Sequence, residues 1–310
     1  MYKESTIKNK TEPKATLSSN SLEIVREPNP KIARIIIAKE WDGGEREVKN
    51  ILDMVYKNWK SKYSDTRVEF IITTGGFVKF EWDKSITKND IGDPRNPNPK
   101  IVQILNFQAQ THLEKILSKN DYIKKFSEFS RYMTFGVDSS DSNLPKDLPK
   151  KTHIEFIFLV DLKTKKFHPT GKIYPMGVEE KVLVRNTDMK SHFLKLGSKS
   201  VMILGCHDLN MFNPRARAHP KLKKFRKGIQ DSFSKMTKSK KPDIILQHPH
   251  SAIKASTWRL GWGGVHKDLG KHDFWYASAG KFYEPEKTPE SRQKVFQISK
   301  SIDSIDFIFS

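Results

Sequence analysis

The amino-acid sequence predicts an α/β fold organised as one principal domain. Three observations support it: short apolar runs typical of strands covered on both faces, a strand-helix-strand order near the beginning, and a length of 310 residues. A chain of this length buries a substantial core, so it needs no disulfide cross-link to fold. Its single cysteine, Cys206, also excludes an intrachain disulfide, so any special role of this residue is that of a thiol.

The predicted elements begin after a polar, lysine-rich stretch that predicts a flexible basic tail over residues 1–31. Residues 33–38 are a short apolar run, typical of a buried strand. A second buried strand, over residues 68–73, ends at two glycines, where the backbone can turn sharply. Between these strands, residues 45–63 predict an amphipathic helix because apolar side chains recur at helical spacing: Val48, Ile51, Leu52, Val55 and Trp59.

Strand, helix and strand in this order indicate a right-handed βαβ unit at the start of a mainly parallel sheet. One or two helices are predicted over residues 101–129. A basic amphipathic stretch near residues 220–241 predicts a helical insertion, so that residues 32–310 form a single α/β domain. Further strands are predicted from apolar runs, at residues 132–138, 153–161, 200–204, 243–247, 274–282 and 302–309.

The net charge is strongly positive, since 56 Lys and Arg against 36 Asp and Glu give +20. Such a charge attracts nucleic acid or nucleotides where it is clustered, whereas lysines spread over solvated faces carry no such meaning. The densest cluster lies in residues 220–241, and its predicted contacts with nucleic acid are Lys223, Lys224, Arg226 and Lys227. The sequence has no apolar run of the roughly 18–20 residues that span a membrane and no secretory signal, so we expect a cytoplasmic protein without a membrane partner.

Two segments place reactive side chains at predicted strand ends. An apolar strand over residues 156–162 is followed by a turn and by Lys172, and a strand over residues 201–205 ends directly before Cys206. Ligands and reacting groups gather at the carboxyl edge of open α/β sheets. A nearby ammonium lowers the pKa of a thiol and stabilises a developing oxyanion, so the two residues predict a cysteine nucleophile.

The flanking residues resemble the nitrilase, or carbon–nitrogen hydrolase, family. Lys172-Ile173-Tyr174-Pro175 with the later Glu179 is similar to the family's lysine segment, and Gly205-Cys206-His207-Asp208-Leu209, with Phe212, Pro214 and Arg215 behind it, is similar to the segment around its nucleophile.

This resemblance implies a four-layer α-β-β-α sandwich that hydrolyses a small amide or nitrile-type substrate without a cofactor. Cys206 would then be the nucleophile, Lys172 the oxyanion partner and Glu179 an orienting carboxylate. His207 and Asp208 would lie on the substrate side. The resemblance also implies a homodimer.

One departure from the family concerns its general base, a glutamate that closes the strand after the first helix. Here that strand ends in Thr73-Thr74-Gly75-Gly76. Glu69 lies inside the strand, and Glu81, beyond the glycines, is the possible general base. A positioned proton acceptor contributes about 100- to 10,000-fold to rate, so its loss would severely impair hydrolysis. The alternative function is therefore that of a catalytically impaired nitrilase-like module that binds a nucleotide or nucleic acid.

A second resemblance uses some of the same residues. His207 and Asp208, together with His248 and His250 after a predicted strand, are similar to fragments of metallophosphoesterase signatures, which implies a metal-dependent phosphoesterase or nuclease of the same four-layer architecture. Imidazole and carboxylate ligands suit zinc, manganese or iron. In the simplest alternative, Cys206 is a small buried hydrophobe and the histidines only form hydrogen bonds.

Overall fold

The computed structural model describes residues 21–140, 144, 146–217, 224–251, 255–280 and 289–310. Within these residues there are twelve strands: β1 (Leu22–Arg26), β2 (Ile32–Ile37), β3 (Val68–Ile72), β4 (Val78–Phe80), β5 (Ser130–Ser139), β6 (Glu155–Asp161), β7 (Lys166–Gly171), β8 (Phe193–Leu196), β9 (Lys199–Leu204), β10 (Ile244–Gln247), β11 (Trp275–Ser278) and β12 (Ser304–Phe309).

The α-helices of the described residues are α1 (Glu45–Lys62), α2 (Lys88–Ile91), α3 (Pro99–Lys119), α4 (Tyr122–Ser127), α5 (Pro214–Arg217), α6 (Lys224–Lys240), α7 (Ala255–Leu269) and α8 (Pro289–Ile298). Short 3₁₀ helices span Gly177–Lys181, Met189–His192 and Asp208–Met211. No helix in the described part of the chain is long and apolar enough to cross a membrane.

The strands form two sheets. The larger sheet has the order β1-β12-β2-β3-β5-β6-β7, with β4 also paired to β5. Its centre is parallel, from β12 through β2 and β3 to β5, whereas β1, β6 and β7 run antiparallel to their neighbours. The smaller sheet has the order β11-β10-β9-β8, of which the first three strands are parallel.

Alternating side chains along the strands show how the two sheets stack. On β6, Phe156 and Phe158 pack into the cluster that contains the buried face of α1, whereas Ile157 packs with residues of the smaller sheet. On β9, Ile203 faces the larger sheet and Met202 packs with residues of α6 and α7. Successive strand residues point to opposite faces, so each sheet is covered on both sides. The predicted four-layer α-β-β-α sandwich is confirmed.

The α1 helix shows why the sequence pattern predicted it correctly. Its buried residues are the five apolar residues that recur at helical spacing, and Glu45 and Glu47 lie in its first turn, where the helix dipole favours negative charge. The predicted helical stretch at residues 101–129 is interrupted near Asn120, so it forms the separate helices α3 and α4.

The predicted tail over residues 1–31 requires a correction. Residues 1–20 lie outside the described residues, but β1 falls inside the predicted tail and pairs antiparallel with all but the first residue of β12. Glu27 also accepts a hydrogen bond from the backbone N–H of Ser304 at 2.7 Å. The segment is polar overall, but Leu22 and Ile24 alternate with Glu23 and pack against the core, and backbone hydrogen bonds to β12 stabilise the edge strand.

Candidate active site

The topology gathers several charged or nucleophilic side chains at one edge of the two sheets. Asp138 lies near the carboxyl end of β5, and its register partner on the antiparallel β6 is Glu155, the first residue of that strand. Lys172 directly follows β7, and its backbone N–H donates to the Glu155 carbonyl at 3.0 Å. From the smaller sheet, Cys206 follows β9 and His250 follows β10.

Lys172 is held between two carboxylates. Its ammonium nitrogen lies 2.7 Å from Glu155 Oε1 and 2.8 Å from Glu179 Oε1, and its side chain is only 1% exposed. Burial lowers the pKa of Lys172, but the negative charges of Glu155, Cys206 and Glu179 outweigh burial and raise this pKa above its ordinary value. Lys172 is therefore a buried, permanently charged group next to the thiol.

Cys206 is almost fully buried, at 9% exposure, and its sulfur accepts a hydrogen bond from the backbone N–H of His250 at 3.2 Å. Burial raises the pKa of this thiol, but the positive fields of His207, His250 and Lys172 dominate and lower it from 9.0 to about 7. The thiol therefore ionises more readily near neutral pH than an ordinary cysteine does. The surroundings of Cys206 favour its thiolate form.

Glu179 connects the lysine to His207. Its Oε1 contacts Lys172, and its Oε2 lies 3.0 Å from His207 Nδ1 and accepts from the Met176 backbone N–H at 2.8 Å. Burial raises the pKa of Glu179, but the hydrogen bond from His207 and the charge of Lys172 lower it to about 2. For His207, burial lowers the pKa, and the negative charges of Cys206 and Glu179 raise it above its ordinary value.

Asp208 has a structural position rather than the substrate-side position expected for it. The residue is fully buried, and its carboxylate accepts from the backbone N–H groups of Gly205 at 2.7 Å, Tyr174 at 3.0 Å and Ile173 at 3.2 Å. These bonds join the loop after β9 to the segment after Lys172. Asp208 therefore fixes the distance between the thiol and the lysine.

The structure adds residues that the sequence did not single out. Glu155 is close to Lys172, and its Oε1 lies 3.2 Å from His153 Nε2. Burial raises the pKa of Glu155, but Lys172, His250 and His153 together lower it well below its ordinary value. The signal in the sequence was an acidic residue at the start of the apolar run of β6; its position opposite Asp138 follows only from the pairing of β5 with β6.

The proposed metal set of His207, Asp208, His248 and His250 does not come together. Asp208 is committed to backbone N–H groups, and His248 Nδ1 lies 2.7 Å from the carbonyl oxygen of Thr73. Burial lowers the pKa of His248 to about 4, so this imidazole is neutral. Two different sets in the described residues have donor atoms within 4.8 Å of one another: Asp138 with Glu155 and His250, and His153 with Glu155 and Glu179. In the second set the Lys172 ammonium already lies between the two carboxylates.

Other sequence-predicted residues lie elsewhere. Glu81 is exposed and acts electrostatically on His112 of α3, and Glu69 pairs with Lys199 at 2.6 Å. Glu155 and Glu179 are instead the glutamates that contact Lys172.

In the basic cluster, Lys224 and Lys227 are exposed, whereas Arg226 Nε lies 2.7 Å from Glu180 Oε1. Lys223 lies outside the described residues. Binding of nucleic acid by this face stays a prediction, as does a homodimer.

No family model and no curated protein matches the chain. The chain is similar in fold to the solved structure of an amidase from Nesterenkonia sp., at 11% identity over 83% of this chain and 78% of that chain, with a TM-score of 0.46. A cysteine-to-alanine variant of the Nesterenkonia AN1 amidase, from the nitrilase superfamily, gives 10% identity, coverage of 83% and 79%, and a TM-score of 0.47. A glutamate-to-glutamine variant with acrylamide added at its active-site cysteine gives 10% identity, coverage of 80% and 78%, and a TM-score of 0.45. A likeness at this identity concerns the fold alone, so the activity must be inferred from the side chains of this chain.

Proposed function

We propose that this protein is a thiol-dependent hydrolase that cleaves the C–N bond of a small amide-type substrate, with Cys206 as its nucleophile. The observation that carries the proposal is the convergence of three positive groups on one buried sulfur, which lowers the pKa of the thiol to about 7. A thiol that serves only as a packed hydrophobe has its pKa raised by burial.

Lys172 is suited to stabilising the substrate oxygen. An ammonium has three donors, and in the hydrogen bonds of the described residues Lys172 gives two of them to Glu155 and Glu179. The third is left to face the oxyanion that forms when the thiolate attacks a carbonyl carbon. One such donor is typically worth about 100- to 1,000-fold in rate. Glu155 and Glu179 serve to keep the ammonium charged and in place.

A cavity of about 710 Å³ opens beside the site and is suited to a small substrate. Its wall includes Asp138 and His250 but not Cys206, and the backbone N–H of His250 donates to the Cys206 sulfur, so His250 lies between the cavity and the thiol. A volume of this size falls within the usual range for small-molecule sites. We therefore infer a small-molecule amide as the substrate.

The test is ammonia release from a panel of small aliphatic amides, nitriles and carbamoyl compounds. The wild-type protein should release ammonia from at least one of them, and Cys206→Ala should release none, while its melting temperature stays near that of the wild type because the change removes one buried sulfur. Glu69→Gln, which alters an ion pair away from the site, is the matched control and should keep the wild-type rate. Ammonia release by Cys206→Ala at the wild-type rate would reject the cysteine nucleophile.

A further inference from the structure

The end of β3, where the sequence has no glutamate, is occupied by side chains from β5 and from the loop after β10. Gly76 has a left-handed φ of +60°, and a Cβ atom on it would lie 2.7 Å from Asp138 Oδ2 and 3.2 Å from His250 Nε2. A Cβ atom on Gly75 would lie 2.6 Å from the carbonyl oxygen of His248. The absence of a Cβ atom at Gly76 leaves room for the side chains of Asp138 and His250, and its absence at Gly75 leaves room for the backbone of His248.

His250 lies at the centre of this arrangement. Its ring Nε2 contacts Asp138 Oδ2 in a short hydrogen bond, its Nδ1 is 3.7 Å from Glu155 Oε2, and its backbone N–H donates to the Cys206 sulfur at 3.2 Å. Asp138 and Glu155 are cross-strand partners, and like charges directly opposite each other are unfavourable. An imidazolium between the two carboxylates removes this repulsion. Burial lowers the pKa of His250, but Asp138, Glu155 and Cys206 raise it well above its ordinary value.

We propose that His250, positioned by Asp138, is the group that carries protons in the reaction of Cys206, in place of a carboxylate base at the end of β3. This inference rests on the proposed function. The thiolate of Cys206 attacks the carbonyl carbon, a C–S bond forms, and the carbonyl oxygen becomes an oxyanion. The C–N bond then breaks as the His250 imidazolium gives its proton to the departing nitrogen, which leaves a thioester and a neutral imidazole. Neutral His250 next takes a proton from water, whose oxygen attacks the thioester, and C–S cleavage restores the thiolate and releases the acid.

Two neighbouring groups are less suited to this role. Glu155 is 7% exposed and contacts Lys172 and His153. Its negative charge is therefore needed to pair with the buried Lys172 ammonium. His207 is held by Glu179, but it does not belong to the wall of the cavity, whereas His250 and Asp138 do. A proton donor to the departing nitrogen has to reach the substrate. His250 contacts the nucleophile through its backbone N–H, and it is also part of the wall of the cavity.

The test compares an amide with the p-nitrophenyl ester of the same acyl group, because p-nitrophenolate leaves without a proton. Rates are divided by the ionised fraction of Cys206 in each variant, measured from the pH dependence of alkylation. In His250→Gln, acylation by the amide should fall about 100- to 10,000-fold, while the ester should still give a burst of nitrophenolate. The acyl-enzyme should then accumulate, because water is no longer activated.

Asp138→Asn should lower the amide rate less than His250→Gln. It should also move the basic limb of the pH profile to lower pH, since the imidazolium loses one of the charges that face it and keeps Glu155 and Cys206. His207→Gln is the matched control: it also removes a cation near the sulfur, and it should leave the ratio of ester to amide rates unchanged. The burst amplitude counts folded active sites in every variant.

An unchanged ratio of ester to amide rates in His250→Gln would overturn the inference, and so would turnover that a chelator abolishes and a divalent ion restores. If His250→Gln loses both the ester and the amide rate and gives no burst, the variant is structurally damaged. The inference is then decided by Asp138→Asn: a basic limb of the pH profile that does not move to lower pH would overturn it. The proposed function fails separately, if Cys206→Ala keeps the wild-type turnover.

Discussion

Replacing Glu155 by glutamine tests whether the buried charges of the site support one another. The change keeps the size of the side chain but removes the charge that faces Lys172 at 2.7 Å, in a pair whose side chains are only 1% and 7% exposed. Breaking such a pair leaves a buried cation without its partner, which typically costs about 3–5 kcal/mol of unfolding free energy. Glu179 still contacts Lys172, so we expect a loss near the lower end, about 3 kcal/mol.

Glu69→Gln provides a matched control for this substitution. Glu69 also pairs with a lysine, Lys199, at 2.6 Å, but these side chains are 29% and 45% exposed. Solvent-exposed pairs contribute about 0–1 kcal/mol. Urea denaturation followed by circular dichroism should therefore show a loss of about 3 kcal/mol for Glu155→Gln and less than about 1 kcal/mol for Glu69→Gln. Equal losses would refute the idea that burial of the charges decides the effect.

The destabilisation by Glu155→Gln should also depend on pH. The pKa of Glu155 in the folded protein lies well below its ordinary value of 4.5, so the carboxylate contributes its full stability above about that pH. This contribution is lost as the pH falls through the folded-state pKa. The difference in unfolding free energy between wild type and variant should therefore be constant near neutral pH and shrink below about pH 4.5. A difference that grows on acidification would contradict the assignment.

Three further predictions concern the thiol, a buried ion pair and the edge strand. Alkylation of Cys206 by iodoacetamide should rise with pH around a midpoint near 7, and Lys172→Met should move that midpoint upward; slow labelling that is equal in both proteins would contradict this. Arg34→Met should lower the unfolding free energy by about 3–5 kcal/mol, because it leaves the buried Asp306 carboxylate without the guanidinium that contacts it; a loss below 1 kcal/mol would show that the pair is solvated. Deleting residues 1–30 should lower the melting temperature below that of a protein that lacks only residues 1–20, since β1 is then lost from β12; equal melting temperatures of the two truncated proteins would show that β1 does not stabilise the fold.

Much of the fold could be predicted from the sequence because its strands are buried on both faces. Such strands are continuous apolar runs, as at β2 and β6, and α1 shows its buried stripe at helical spacing. The edge strand β1 gives only a short signal: Leu22 and Ile24 alternate with Glu23 and pack against the core, but the strand has five residues and lies in a polar stretch. Where sheets are covered by helices on both sides, the apolar pattern specifies the layers but not the edges.

The candidate site was predictable only in part. Lys172, Glu179 and Cys206 lie in short segments with a recognisable pattern, and the structure brings all three together. Glu155 reaches the same place through the antiparallel register of β5, β6 and β7, and this register depends on pairing between strands. The sequence predicts His250 only as a possible metal ligand, because its position beside the sulfur depends on the loop after β10. Side chains that reach the site through strand register or loop geometry are not marked by a regular spacing in the sequence.

The proposed reaction depends most on Cys206 as the nucleophile. Mixing the wild-type protein with a p-nitrophenyl ester, quenching in acid and measuring the mass of the intact protein tests this claim directly. We expect a species heavier by one acyl group, which fragmentation assigns to Cys206 and which is absent from Cys206→Ala. It should form faster above pH 7 than below, because the thiol is then mostly ionised. A burst of nitrophenolate without an adduct, or an adduct on another residue, would contradict the account.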